Sequence, residues 1–211
     1  MRSFDIEAFK GCYVMQADDI DVFARTLADG FSQYCMFQYI CGKEYNRDKM
    51  TLFWAVSIKL VVDNAICIAD SKEANSVLIY VRPRSKEPNP LRYLKAGGLK
   101  MLCKMGLRST IKLIQFDAEF KKIAKRNKAE NDGYIMCFAT KLDKQGQHYG
   151  KPLILALLQY LDMLGEGCYL ETLKPTNVDL YKHFSFELKE QVTFSSSGLT
   201  IFAMHRQKVR C

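Results

Sequence analysis

The order of elements in the last third of the chain constrains its fold more than any other feature of the sequence. The turn residues 131–133 precede an apolar run at 134–139, which we predict as a buried strand. A polar turn at 141–150 leads into an apolar segment at 151–164, which predicts a helix that ends at Gly165, where a helix C-terminus favours glycine. Beyond it we predict a strand, a short helix and a hairpin at 168–173, 177–184 and 186–206. Strands that alternate with a helix and close in a hairpin predict an α/β fold with a mixed sheet.

Helical and strand-like patterns also fill the first 130 residues. Short apolar runs predict strands at 12–16, 65–69 and 76–81. Apolar residues at helical spacing predict helices at 20–40, 51–62 and 91–128. We expect Gly30 and Gly106 to break the first and the last of these, so that 91–128 forms two helices. A chain of 211 residues, of which 48% are hydrophobic, is sized for one domain over 1–211.

The cysteines and the N-terminus indicate a reducing compartment. Eight cysteines are scattered through the chain, none forms a Cys-x-x-Cys pair, and the three histidines lie far apart. Reduced thiols fit this pattern better than a disulfide framework or a zinc site, so we expect no metal. The acids Asp5 and Glu7 do not fit a signal peptide. We therefore predict a cytoplasmic protein.

We expect no membrane partner, because the sequence has no segment that could span a bilayer. The most apolar stretch, 152–164, is interrupted by Gln159 and Asp162. It is also far shorter than the roughly 20 residues that cross a bilayer.

The positive charge of the chain is concentrated in one segment. Residues 82–128 hold fourteen Lys and Arg against three acids, a net charge of +11, whereas the rest of the chain has a net charge of −3. Such a segment could serve nucleic acid, an acidic lipid surface or a phosphorylated ligand. It could equally be a solvated helix face, since Lys100, Lys104, Arg108 and Lys112 recur at every fourth position.

The polar turn before the apolar helix carries the chemistry that the sequence suggests. Gly146 and Gly150 lie between a predicted strand and the N-terminus of a predicted helix, with Lys144 and Lys151 nearby. Backbone N–H groups at such a terminus can bind an anion, and glycine lets a pyrophosphate approach the main chain. Two glycines before a helix also fit an ordinary strand-to-helix turn.

Further residues occur in an order that resembles the GNAT superfamily of N-acyltransferases. The pattern Gln/Arg-x-x-Gly-x-Gly/Ala, then Leu-Glu-Thr, then Asn-x-x-x-Tyr-x-x-x-Gly-Phe is matched at Gln145, Gly150, 170–172, Asn177, Tyr181 and Phe186. The resemblance covers about 75 residues from 134 to 206, and the segments 28–31 and 203–206 look similar too. Two glycines of the pattern are replaced, one by His148 and one by Ser185.

The resemblance implies a mixed, mostly antiparallel sheet flanked by helices, with a V-shaped cofactor cleft between two central strands. Residues from about 131 to 211 would bind acetyl-CoA as co-substrate, and residues from about 1 to 130 would lie on the acceptor side. The implied reaction is acetyl transfer by direct attack of a primary amine of a small molecule or peptide. The implied cofactor-binding residues are Phe138, Ala139, Thr140, Gln145, Gly146, Gln147, His148, Tyr149, Gly150, Lys151, Asn177 and Tyr181.

Two side chains are candidates for catalysis on the same resemblance. Tyr181 would donate a proton to the departing thiolate, and Glu171 would accept one from the amine, directly or through water. Helical spacing places Tyr181 on one face with Asn177, and we expect Leu180 on another face, in the core. An alternating strand would point Glu171 away from its neighbours, where a surface or salt-bridged role is equally open.

Two other classes of function stay open. One is a non-catalytic module that binds acyl-CoA, because the side chain of His148 stands in the phosphate turn. The other is a basic nucleic-acid-binding protein, which the resemblance makes the less favoured interpretation. The acceptor amine is not readable, and the sequence leaves a homodimer open.

Overall fold

The computed structural model describes residues 6–42 and 45–208. Asp5 and Cys211, on which the expectations above partly depend, lie outside the described residues. The seven cysteines within them are free thiols. No described helix combines the length and the apolar character needed to cross a membrane.

The centre of the molecule is a mixed sheet of seven strands among the described residues. In chain order they are β1 Tyr13–Val14, β2 Ala65–Ala69, β3 Ser76–Val81, β4 Gly133–Thr140, β5 Cys168–Thr172, β6 Glu187–Phe194 and β7 Leu199–Arg206. Their spatial order is β1-β2-β3-β4-β5-β7-β6, and only β4 and β5 run parallel to each other. The strands predicted at 65–69 and 76–81 are β2 and β3, and they form the expected hairpin.

Helices cover both faces of this sheet. They are α1 Ile20–Gly30, α2 Cys35–Cys41, α3 Arg47–Val61, α4 Pro90–Lys95, α5 Gly98–Met105, α6 Leu107–Asn127, α7 Lys151–Leu164 and α8 Pro175–Lys182. α1, α2, α3, α5 and α6 supply one apolar cluster, and α7 and α8 supply a second one across the sheet. Alternate residues of a strand serve the two clusters, as the period of a strand requires: Tyr169 packs in the first and Leu170 in the second. The predicted α/β fold class is confirmed.

The predicted helix pair at 91–128 is wrong in number, because three helices fill this segment. Asn89 caps α4 by accepting a hydrogen bond from the Arg92 N–H at 2.9 Å. The helical path is interrupted at Gly97, with φ of +94°, which separates α4 from α5, and at Gly106, with φ of +79°, which separates α5 from α6. The Gly97–Gly98 pair supplies the break that the periodicity did not indicate, since positive φ favours glycine.

The helix that follows β5 starts earlier than predicted, and its buried face differs from the expected one. It begins at Pro175, and it buries Val178 and Tyr181, three residues apart. Leu180 is 47% exposed, so the expectation that it lies in the core is wrong. A side chain one position away from a buried residue on a helix is rotated by more than a quarter turn, which turns Leu180 towards solvent.

Candidate active site

A gap opens between the two central parallel strands. β4 and β5 pair only at Gly133 with Cys168 and at Tyr134 with Tyr169. Immediately beyond, the register of β4 against β3 shifts, which leaves Met136 as an extra residue in a β-bulge. A bulge bends its strand, so β4 turns away from β5. From Ile135 onwards the edge of β4 that faces β5 has no strand partner among the described residues.

The C-terminus of α1 fixes the far end of β4. A Cβ atom on Gly30 would lie 2.6 Å from the carbonyl oxygen of Thr140, a distance that only glycine permits. The carboxylate of Asp29 accepts the N–H of Leu142 at 2.8 Å and pairs with Arg47 at 2.9 Å. These contacts give a structural reason for the similarity noted at residues 28–31.

The turn at 145–150 connects β4 to α7 and presents its main chain. The side-chain amide of Gln145 donates to the carbonyl of Thr140 at 3.2 Å, which folds the turn back on the strand end. Among the described residues, no acceptor receives the backbone N–H groups of residues 146–150. The carbonyls of His148 and Gly150 accept the first N–H bonds of α7. The turn therefore holds a series of free donors at the positive end of a helix.

His148 adopts a left-handed backbone conformation that glycine takes without cost. Its φ is +64°, in the left-handed region, and its side chain is exposed. The imidazole thus points to solvent, and the backbone N–H of His148 has no protein acceptor among the described residues. Ser185, at the second replaced glycine, has the same φ of +64°, and its N–H donates to the Lys182 carbonyl at 3.0 Å. Both replaced glycines thus lie at positions of positive φ, which favour glycine.

Gly150 is required for a different reason, which is contact with a neighbour. A Cβ atom there would lie 2.7 Å from the ring of Phe138 and 3.3 Å from the hydroxyl of Ser76. The Phe138 ring therefore packs against the turn, and the hydroxyl of Ser76 bonds to Thr140 at 2.9 Å. Among the predicted cofactor-binding residues, Phe138 of β4 therefore contacts Gly150 of the turn.

Glu171 is a buried acid on the α1–α6 side of the gap. Both of its carboxylate oxygens are buried and lack a hydrogen bond of ordinary geometry within the described part of the chain. Burial raises the pKa of Glu171 to about 7, while the nearby hydroxyls of Tyr134 and Tyr169 and the charge of Lys128 act to lower it. The surface or salt-bridged role left open above is therefore wrong. The expectation that Glu171 points opposite to Leu170 is met.

Tyr181 lies on the opposite side of the sheet from Glu171. It is 7% exposed, it belongs to the cluster of α7 and α8, and its ring meets that of Phe186 at 5.6 Å. Burial raises its pKa, as does the nearby hydroxyl of Tyr34. The two catalytic candidates thus approach the gap from its two faces.

Tyr34 is a residue of this region that the sequence did not single out. Its hydroxyl accepts the N–H of Leu173 at 2.6 Å and bonds to the hydroxyl of Thr172 at 3.2 Å. The side-chain amide of Asn177 donates to the same Thr172 oxygen at 3.1 Å. Burial raises the pKa of Tyr34, its hydrogen bonds with Thr172 and Leu173 lower it, and the charges of Cys35 and Glu171 raise it further. Because Tyr34 in turn raises the pKa of Tyr181, it lies within electrostatic reach of both candidates. Asn177 ties α8 to the end of β5, which its predicted cofactor role did not anticipate.

Comparison with known proteins identifies the fold. No protein-family model and no curated protein matches this sequence. A structure of histone acetyltransferase HPA2 and related acetyltransferase from Corynebacterium glutamicum matches with a TM-score of 0.67 and 16% identity, over 95% of this chain and 97% of that one. The C-terminal condensation domain of Ebony, in complex with β-alanyl-dopamine, matches with a TM-score of 0.61 and 8% identity, over 93% and 97% of the two chains.

A third solved structure agrees with these two. A mosquito arylalkylamine N-acetyltransferase like 5b matches with a TM-score of 0.59 and 14% identity, over 93% of this chain and 98% of that one. At these identities the likeness concerns the fold. The chain has the fold of the GNAT-type acetyltransferases, as the motifs of its C-terminal part predicted.

Proposed function

We propose that the protein is an acyl-CoA-dependent N-acyltransferase, which moves an acetyl group from acetyl-CoA to a primary amine of a small molecule or peptide. The observation that carries the proposal is the continuity of two backbone surfaces: the open edge of β4 and the free N–H groups of residues 146–150. An extended ligand with an amide-bearing arm and a pyrophosphate satisfies both at once. The arm adds to the strand edge as a β-strand would, and the pyrophosphate meets the helix N-terminus.

The residues around the gap support a direct transfer. The amine nitrogen attacks the thioester carbon, a C–N bond forms, and the C–S bond breaks. A backbone N–H of β4 at Phe138, Ala139 or Thr140 would polarise the carbonyl oxygen. Glu171, with its pKa near 7, takes the proton that the amine loses, directly or through water. Tyr181 gives its hydroxyl proton to the departing sulfur, from the other face of the sheet.

The similar structures support amide formation as the class of reaction. The mosquito protein carries the name of an arylalkylamine N-acetyltransferase, and the Ebony domain was solved with an amide of dopamine. Both descriptions concern an amine nitrogen on a flexible arm beside an aromatic ring. We therefore add arylalkylamines to the acceptors to be tried. The free thiols support a cytoplasmic site for the reaction.

The test is a thiol-release assay with acetyl-CoA against a panel of amines. The panel contains arylalkylamines, polyamines, aminonucleosides and short peptides, and mass spectrometry identifies the acylated product. Turnover above the rate of acetyl-CoA hydrolysis by the protein alone supports the proposal. Binding of acetyl-CoA without turnover of any amine would instead favour the non-catalytic module, and absence of binding would reject both.

A further inference from the structure

One surface of the protein is both basic and apolar, and the proposed reaction does not use it. We define it as the α4–α6 surface, formed by the exposed side chains of residues 88–116. This stretch contains six basic residues and no acidic residue. Eight of the thirteen exposed large apolar side chains within the described residues also lie here. Leu99, Leu107 and Ile114 are the most open of them, at 62%, 77% and 62% exposure.

The apolar side chains of this surface are in excess of what the core uses. The inner faces of the same helices bury Met101, Met105 and Phe116 in the cluster beneath them. The outer faces would be polar in an ordinary amphipathic helix. Here they present leucines and isoleucines, and a shallow groove of about 580 Å³ runs between Leu107, Ile111 and the turn at Ser196. An exposed apolar patch of this kind marks a surface that binds a protein, a membrane or a ligand.

Four of the six basic residues in this stretch are also uncompensated, whereas Arg92 pairs with Asp63 and Lys112 donates to the carbonyl of Tyr39. Lys95, Lys100, Lys104 and Arg108 form no ion pair within the described part of the chain. By contrast, Lys121, Lys122 and Arg126, later in α6, are paired with acids, as in the contact of Arg126 with Glu190 at 2.7 Å. The free positive charge of the segment 82–128 therefore concentrates beside the exposed leucines.

We propose that the α4–α6 surface binds an anionic lipid bilayer peripherally. Leucines and isoleucines enter the boundary between headgroups and acyl chains, while the flanking lysines meet anionic headgroups. The other ligands considered for this segment satisfy only one of the two properties. Nucleic acid neutralises the charge but offers no place for eight apolar side chains, and exposed aromatic rings for stacking are limited to Tyr93 here. A second copy docked through a two-fold axis would bring like charges together.

This proposal revises the expectation that no membrane takes part. That expectation considered segments that cross a bilayer, whereas the α4–α6 surface would lie on one. Because α7 and α8 pack on the opposite face of the sheet, the turn at 145–150 would remain on the side away from the lipid. Acyl-CoA could then reach its proposed site from water.

The experiment is co-sedimentation with vesicles. The full chain is mixed with vesicles of phosphatidylcholine alone, or of phosphatidylcholine with phosphatidylglycerol. We expect binding to the anionic vesicles and little to the neutral ones, with a loss at high salt. The variant Lys100→Gln/Lys104→Gln/Arg108→Gln should lower partition roughly a hundredfold, at about fivefold for each charge. The variant Leu99→Ser/Leu107→Ser should lower it by more than about tenfold.

Matched controls remove equal charge and equal apolar area elsewhere. Lys72→Gln/Lys174→Gln/Lys182→Gln and Leu155→Ser/Met163→Ser alter exposed side chains outside the α4–α6 surface and should bind as the parent does. Circular dichroism confirms that each variant is folded. Equal binding by Leu99→Ser/Leu107→Ser and the parent would overturn the proposal, because charge alone would then explain adsorption. The proposal would also be overturned if the parent bound no vesicles but bound RNA or formed a stable dimer, and if these substitutions abolished that binding.

Discussion

His148 and Ser185 show that residues other than glycine can hold a positive φ in a turn. Both residues hold a φ of +64° where the GNAT pattern has glycine. A left-handed conformation costs a residue with a Cβ atom about 1–2 kcal/mol, although histidine accepts it more readily than most. The neighbouring contacts must offset that cost. From the sequence alone, the side chain of His148 could obstruct the phosphate turn. In the structure the turn is strained at His148, but the imidazole points away from it.

His148→Gly should therefore stabilise the protein and leave cofactor binding intact. Relief of the positive φ is partly cancelled by the greater freedom of glycine in the unfolded chain, so we expect a gain of up to about 1 kcal/mol. Urea unfolding measures it, and thermal shift with CoA measures binding. Ser185→Gly, at the same φ but away from the turn, serves as the control. A weaker response to CoA in His148→Gly alone would mean that the imidazole contacts phosphate.

Glu171→Gln should lower kcat by about a hundredfold to ten-thousandfold and change the pH profile. A base must be deprotonated to act, so kcat/KM of the parent should rise as the pH increases through about 7, the pKa that burial gives Glu171. Deprotonation of the amine substrate raises the rate as well, and the profile of the variant isolates that contribution. Identical profiles for parent and variant would exclude Glu171 as the base.

The same substitution should stabilise the fold at high pH. The pKa of Glu171 is raised from 4.5 to about 7 on folding, so the folded state holds its proton more tightly than the unfolded state does. The free energy of unfolding of the parent therefore falls as the pH rises from about 4.5 through 7. Glu171→Gln escapes this loss, and its advantage should grow across that window to as much as ~3 kcal/mol. A general base that lowers the stability of the fold is typical of an active site.

Tyr181→Phe should lower kcat by roughly tenfold to ten-thousandfold and hardly alter cofactor affinity. The ring and its contact with Phe186 remain, and only the hydroxyl proton is lost. Steady-state kinetics with an identified acceptor and a binding titration with CoA separate the two quantities. An unchanged kcat would remove Tyr181 from the chemistry, provided that a pre-steady-state burst excludes product release as the slow step. A lower melting temperature with intact kcat would show a packing role.

At the scale of elements, the sequence predicts which segments are strands and helices better than it predicts their faces and breaks. Turn residues and periodicity give β2, β3, β4 and α7 almost without error, because those signals are local. Leu180 is exposed although it was expected in the core, because the packing of α8 on the sheet buries Val178 and Tyr181 instead. Tyr34 escapes any local pattern: its partners Thr172 and Leu173 lie 138 and 139 residues away along the chain.

The contact between α1 and β4 makes a prediction at this scale. Gly30→Ala places a Cβ atom within 2.6 Å of the Thr140 carbonyl, so α1 and the end of β4 must separate. We expect a loss of about 1–3 kcal/mol in unfolding free energy and a weaker response to CoA, because the turn at 145–150 follows from that strand end. Gly198→Ala, with its φ of +70° and open space around it, lies in the β6–β7 hairpin away from the turn and is the comparison. If both variants lose the same stability with the same CoA response, the α1 contact does not position the turn.

At the scale of the whole molecule, the resemblance predicted a cleft that no local pattern could give. A gap between two strands depends on strand order and on the bulge at Met136, and both are settled only when the sheet assembles. The basic segment at 82–128 illustrates the opposite limit. Its charge is plain from the sequence, but the leucines beside it become informative only once their exposure is known. The division into acceptor-side and cofactor-binding parts remains a prediction.

CoA should raise the melting temperature of the whole chain. A ligand that binds only the native state adds about 2.7 kcal/mol at a concentration a hundred times its Kd. For a chain of this length that gain corresponds to roughly 5–10 °C. Differential scanning fluorimetry with CoA, acetyl-CoA and adenosine as a fragment control measures the shift. No shift at millimolar CoA, with an established acetyltransferase responding in parallel, would contradict the cofactor assignment.

The gap also divides β4 into two edges that amide hydrogen exchange should report separately. On the β3 side, alternate residues of β4 point their N–H groups at β3, and these protons should exchange only when the sheet opens. The N–H groups of the intervening residues beyond Tyr134 point to the β5 side, where they have no strand partner among the described residues, and they should exchange through local fluctuation alone. One strand thus has two sets of exchange rates, slow on the paired edge and fast on the open edge. A ligand that pairs with the open edge would slow exchange there and leave the rates on the β3 side almost unchanged.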